Sequence, residues 1–163
     1  MNQCIRKTGQ SSVSSLPLII GLVAFTPSIA VALETLCTRD EYVFWSCSAA
    51  GKVYSLCGQS AESPDTGYLQ YRAGPATRPD IIYPASQTPA TDNFRYQLLN
   101  RAAAVHFESA GFQHSIYESI NAEASIDVEK DGKRLLSVRC DSSSNTLTLT
   151  STINEFKAMG IYD

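Results

Sequence analysis

The chain carries only two histidines, His106 and His114, with Glu108 between them. Two imidazoles and a carboxylate gathered on facing strands can ligate a metal ion or move a proton during hydrolysis. Strand register decides whether they meet. A three-residue loop at 109–111 sets His106 opposite His114 on the face of Glu108, but it mixes apolar and polar residues on both faces. A two- or four-residue loop gives one face of Val105, Phe107, Phe112, His114 and Ile116. The other face is then His106, Glu108, Gln113, Ser115 and Tyr117. A buried face enforces the segregated register. His114 is therefore expected to pack inside, apart from a solvated His106–Glu108 pair. The rival expectation is a small metal-binding protein or hydrolase built on His106, Glu108 and His114.

A second set of residues suits recognition rather than catalysis. In Tyr68-Leu69-Gln70-Tyr71-Arg72, a strand turns Leu69 and Tyr71 to one face and Tyr68, Gln70 and Arg72 to the other. Tyr and Arg combine large contact area with hydrogen bonding and are common at interface hot spots. Tyr68, Gln70 and Arg72 are thus the expected binding residues, helped by the polar loops 58–67 and 84–93. The competing reading is an ordinary face, with Tyr68 covering a neighbour and Arg72 paired to a carboxylate. Trp45, the one tryptophan, alternates with Val43 and Cys47 and is expected in the core beside a disulfide. Asp127, Glu129, Asp131 and Asp141 lack the glycine and terminal glutamate of an EF-hand loop, so a solvated hairpin is expected there. No P-loop, G-x-S-x-G or H-E-x-x-H motif occurs, and neither a catalytic set nor a cofactor is assigned.

The elements that hold these residues read as strands. Residues 42–47 (YVFWSC) and 52–57 (KVYSLC) form a hairpin around Ser48-Ala49-Ala50-Gly51. Residues 68–73 and 80–83 supply two more strands. Residues 94–105 alternate as a strand over Phe94, Tyr96 and Leu98, yet Phe94, Leu98, Ala102 and Val105 also share a helical face; strand is the preferred reading for 94–99. Strands follow at 105–108, 113–120, 125–130 and 133–140. Asp131-Gly132 is the strongest hairpin dipeptide, and pairing Lys130 with Lys133 sets Glu129 opposite Arg134. Residues 146–152 are expected as a strand with Leu147 and Leu149 inward and threonines outward. Residues 154–159 make a helical turn ended by Gly160. About nine short strands predict an all-β domain, an antiparallel sandwich or meander-like barrel, with two disulfides.

The first 32 residues have the layout of a cleavable signal. Arg6 and Lys7 precede a short apolar run at 16–25, Pro27 follows, and Ala30-Val31-Ala32 offers a small-residue cleavage site. That run is about half the roughly 20 residues a membrane-spanning helix needs, so no membrane span is expected. Residues 33–163 are expected as a single domain. Cys4 leaves with the leader. Cys37, Cys47, Cys57 and Cys140 remain, an even set that implies two disulfides in an oxidising compartment, with three pairings open. The chain has a formal charge of −3, and losing Arg6 and Lys7 leaves about −5. No basic stripe remains to neutralise phosphates, so nucleic acid is not an expected partner; a basic protein suits the charge better.

One stretch carries a resemblance. Cys37, Val43-Phe44 with Ser46-Cys47, Lys52-Val53 with Ser55-Leu56-Cys57, Gly67-Tyr68-Leu69-Gln70-Tyr71-Arg72 with Gly74, and Tyr83-Pro84 resemble a group of small exported Gram-negative proteins without assigned activity. The Gly-Tyr-Leu-Gln-Tyr-Arg string is its specific part. The resemblance implies export, paired cysteines and β structure, and it carries over no catalytic residue. The expected function is a periplasmic or secreted binding module, of which an inhibitor of an envelope-directed enzyme such as a lysozyme is one form. A structural envelope component is a further alternative.

Overall fold

The computed structural model describes residues 34–63, 66–141 and 149–163. The leader assigned to residues 1–32 lies outside them. Two antiparallel meanders make the fold. The first sheet runs β1 (Tyr42–Ala49), β2 (Lys52–Gln59), β3 (Tyr68–Gly74) and β4 (Ile81–Tyr83), and the second runs β5 (Phe94–Leu99), β6 (Ala102–Ser109), β7 (Phe112–Ser119), β8 (Ala122–Lys130) and β9 (Lys133–Arg139). In each sheet the spatial order is the chain order. The sheets do not close into a barrel, so the architecture is a sandwich, as the strand rhythm allowed.

Three hairpins share one solution. Ala50-Gly51, Ala110-Gly111 and Asp131-Gly132 each place both turn residues at positive φ. That is the type I′ geometry, whose twist matches that of the flanking strands. Lys130 pairs with Lys133 and Glu129 with Arg134, as expected. The 94–105 ambiguity resolves to strand: Ala102, Ala103 and Ala104 pair with Leu99, Leu98 and Gln97. Phe94 and Tyr96 are buried while Arg95 and Gln97 are exposed, the alternation of a half-buried strand.

Both sheets feed one core. Leu69, Tyr71 and Ala73 of β3 meet Ala103, Val105 and Phe107 of β6, Ile116 of β7, and Ala124 and Ile126 of β8. Phe107 is the aromatic hub. Its ring lies 5.0 Å from Tyr71 and 5.2 Å from Tyr83 of the first sheet, and 5.4 Å from Phe94 of the second. Trp45 is fully buried, as expected, beyond a bulge that turns both Phe44 and Trp45 inward.

The C-terminal part departs from expectation. Residues 142–148 lie outside the described residues, and 149–152 form turns, not a strand. Leu149 is buried as expected, but Thr152 is buried too, with its hydroxyl donating to the Leu149 carbonyl at 3.1 Å. A turn without alternation leaves no face for threonines to share. Helix α1 (Ile153–Ala158) follows, ended by Gly160 at φ +73°. Its Phe156 stands 5.6 Å from Phe44 and 4.7 Å from Tyr96, bridging the sheets.

The disulfides are Cys37–Cys57 and Cys47–Cys140. The second joins β1 to the residue after β9, where the Asp141 amide also donates to the Ser48 carbonyl at 2.7 Å. Their sequence separations are 93 for Cys47–Cys140 and 20 for Cys37–Cys57. By loop length alone, removing the longer bridge costs roughly 4–5 kcal/mol and the shorter roughly 3 kcal/mol. Denaturant unfolding of the two Cys→Ala pairs should show the larger loss for Cys47/Cys140. The opposite order would show that local contacts around Cys37 outweigh chain entropy.

Candidate functional site

The Tyr68, Gln70 and Arg72 face is not a surface. The three residues are 8 %, 5 % and 7 % exposed. β3 lies between β2 and β4, with its apolar face on the core. Its polar face is covered by residues 34–41, which fold back across the first sheet. The Arg72 guanidinium donates from Nη1 to Glu41 Oε2 at 2.6 Å and to the Leu36 carbonyl at 3.1 Å. From Nη2 it donates to Glu41 Oε1 at 2.6 Å and Gln70 Oε1 at 2.7 Å. The Tyr68 hydroxyl donates to Glu41 Oε1 at 2.8 Å, and Gln70 Nε2 to the Pro84 carbonyl at 2.8 Å. The expected binding patch is thus corrected to an interior polar clamp, because a buried guanidinium requires a carboxylate and Glu41 supplies it.

The covering strap is fixed along its length. The Leu36 amide donates to Ser55 Oγ at 3.0 Å, and Ser46 Oγ donates to the Glu34 carbonyl at 2.7 Å. Cys37–Cys57 ties its middle to β2. β2 and β3 come close enough there that any β-carbon on Gly58 would strike the Tyr68 carbonyl. Burial by itself raises the Glu41 pKa, but hydrogen bonds from Arg72, the Thr38 amide and Tyr68, with the Arg72 charge, bring it down to about 2. Burial, then the neighbouring Glu41, pushes Tyr68 up to about 12. The competing reading pairs Arg72 with a carboxylate, as the structure does, but on an outer face rather than under a strap. The readable signal was Glu41 itself, an acid just ahead of an aromatic strand.

The histidines take the segregated register. A two-residue turn pairs Phe107 with His114 and His106 with Ser115. His114 faces the core, stacked 4.6 Å from Phe107. His106 faces outward, with Nδ1 2.9 Å from Ser115 Oγ. Burial lowers both histidine pKa values, the nearby Asp163 charge partly opposing it at His106. The register thus sets His106 and His114 on opposite faces of the sheet, although both, with Glu108, border one cleft. Among the described residues no group of three or more His, Cys, Asp or Glu is placed to hold a metal ion. Asp127 and Glu129 instead face Arg134, at 3.3 and 3.6 Å.

The strand registers bring together residues that the sequence never juxtaposes. Arg95 pairs with His106, His106 with Ser115, Ser115 with Asp127, and Asp127 with Ser137. These five form one polar row across the outer face of the second sheet. His106 is half-buried, with Tyr117 edge-on at 5.8 Å. Asp127 is buried, and its Oδ1 has no hydrogen-bond partner among the described residues. Two clefts lie along the row. One, of about 420 Å³, is lined by Arg95, His106, Glu108, Gln113 and Ser115 among others. The other, of about 770 Å³, is lined by Glu123, Ser125, Asp127, Arg134, Ser137 and Arg139 among others. Donors, acceptors and both charge signs on a hydrogen-bonded sheet suit polar recognition. Ser115 lies between His106 and Asp127 in the row and takes His106 Nδ1, so Asp127 does not orient the imidazole as a Ser–His–Asp relay requires; among the described residues the Asp163 carboxylate acts on the ring only through its charge.

A scan against protein-family models and searches of the curated proteins and of the solved structures find no match. No helix among the described residues is long and apolar enough to cross a membrane.

The clamp makes a specific pH signature. A carboxyl depressed in the folded state contributes stability that is complete above its unfolded pKa and lost as pH falls through the folded one. For Glu41 that window runs from its ordinary 4.5 down to about 2. Urea titrations across it should show stability falling in the native protein and a weaker fall in Glu41→Gln. Tyr68→Ala/Arg72→Ala should melt far earlier than the native protein, because Glu41 is left buried without its partners. An unchanged melt would return these residues to the surface.

Proposed function

We propose that this protein is a periplasmic or secreted binding module. Its contact surface is the outer face of the five-stranded sheet, centred on the row from Arg95 to Ser137. The observation that carries the reading is that row. Five strands hold half-buried His106 and Ser115 and buried Asp127 beside two clefts, on a scaffold with two disulfides. Disulfides persist in oxidising compartments, which supports export. The acidic balance of the chain favours a basic protein as partner. Within that class, the reading includes inhibition of an envelope-directed enzyme such as a lysozyme.

The test is capture by the immobilised oxidised protein from envelope extract and from a panel of lysozymes. Glu108→Lys/Glu123→Lys alters two exposed acids on this face. A dominant partner held by the native protein should be lost from this variant, at unchanged melting temperature. Equal capture by both would move the contact elsewhere, and no specific capture from either source would refute the module reading.

A further inference from the structure

The sandwich has four sheet edges; β1 is largely buried, β4 is short and β5 is bonded to the C-terminal residues. At β1, the Asp141 amide bonds to the Ser48 carbonyl. β4 is only three residues long. At β5, the Tyr96 amide donates to the Ile161 carbonyl at 2.6 Å, and the Asp163 amide to the Tyr96 carbonyl at 2.9 Å. The fourth edge, β9, differs. It is seven residues long, and none of the seven is buried. No strand of the described residues pairs with its outer side. Leu135 and Leu136 are 54 % and 52 % exposed. An open strand of this length presents a row of backbone donors and acceptors to any chain that can lie beside it.

From this edge we infer a strand-addition site for an extended segment of another polypeptide, one that alternates acidic and apolar residues. The charge of β9 selects the occupant. Lys133, Arg134 and Arg139 are its charged residues, in a chain that is negative overall. A second copy is a poor fit. Antiparallel self-pairing centred on Leu136 sets Lys133 against Arg139, and like charges directly opposite are destabilising. An added acidic strand reverses that sign. On the outer face it runs beside Arg134 and Arg139, which line the larger cleft. On the inner face Val138 packs against the core, and Leu136 pairs with Val128; apolar side chains of the guest continue that layer. Backbone pairing supplies affinity and alternate side chains supply selectivity, as in other strand-addition complexes. This edge adjoins the row that carries the module reading, sharing Ser137 and the larger cleft with it, but it rests on the open backbone of β9 and does not depend on that reading.

The test uses a fluorescent nonapeptide of alternating Glu and Val, its Lys/Val counterpart, and a Glu/Val peptide N-methylated on alternate residues. Each is titrated into the oxidised protein, with amide exchange measured on β9. Saturable binding of the Glu/Val peptide is expected, with slowed exchange along β9. The Lys/Val and N-methylated peptides should not bind, and Lys133→Glu/Arg139→Glu should weaken the Glu/Val peptide by about tenfold or more. Equal binding of both charge types, binding that survives N-methylation, or no binding would overturn the proposal. So would β9 protection that rises with protein concentration alone, since the occupant would then be a second copy. Loss of partner capture by Glu108→Lys/Glu123→Lys leaves this outcome unaffected, so the two surfaces are judged separately.

Discussion

The first sheet depends on the buried pair between Glu41 and Arg72. β3 is covered on both faces, so the guanidinium of Arg72 is largely removed from solvent. An unpaired charge in such a place costs several kcal/mol. The carboxylate of Glu41 removes that cost only if residues 34–41 lie flat across the sheet. The rest of the strap follows from this requirement. Cys37–Cys57 anchors it, Ser46 and Ser55 hold its backbone, and Tyr68 and Gln70 add hydrogen bonds to Glu41 and Arg72, leaving Arg72 Nε without a partner among the described residues. Glycine at 58 lets β2 and β3 approach closely enough for the clamp to close. The first sheet is therefore the middle of three layers: strap, sheet and core.

The same interaction explains where sequence reasoning stopped. Alternation in β6 and β7 fixed the register of the histidines, because one face is apolar and must be buried. Asp131-Gly132 announced its hairpin, and the four cysteines announced two bridges. Alternation in β3 was equally clear, and its apolar face was read correctly. Its polar face looked like surface because a short, irregular strap carries no periodic signal of its own. The outer row from Arg95 to Ser137 was invisible for another reason: it exists only across strands, and each member is an ordinary polar residue in its own segment. Leu149 was legible as core, but its turn was not, since a single buried leucine fits either state.

Burial of the Tyr–Arg string changes what it means. Here it holds the strap on the first sheet rather than offering a surface. The second sheet has a polar outer face, four consecutive hairpins and, among the described residues, no strand beyond β9. Division of labour between the sheets follows: one carries the buried ion pair and both ends of the strap, the other presents polar groups in register. Cys47–Cys140 joins the two where the chain leaves β9 and reaches β1.

A double-mutant cycle on Glu41 and Arg72 tests the central claim most directly. Free energies of unfolding would be measured for the native protein, Glu41→Ala, Arg72→Ala and the double variant. A buried, mutually required pair predicts strong non-additivity, with the double variant losing about 2 kcal/mol less than the sum of the single losses. Losses that add within about 0.5 kcal/mol would contradict the account, and would mean that Arg72 is solvated and the strap is not held by it.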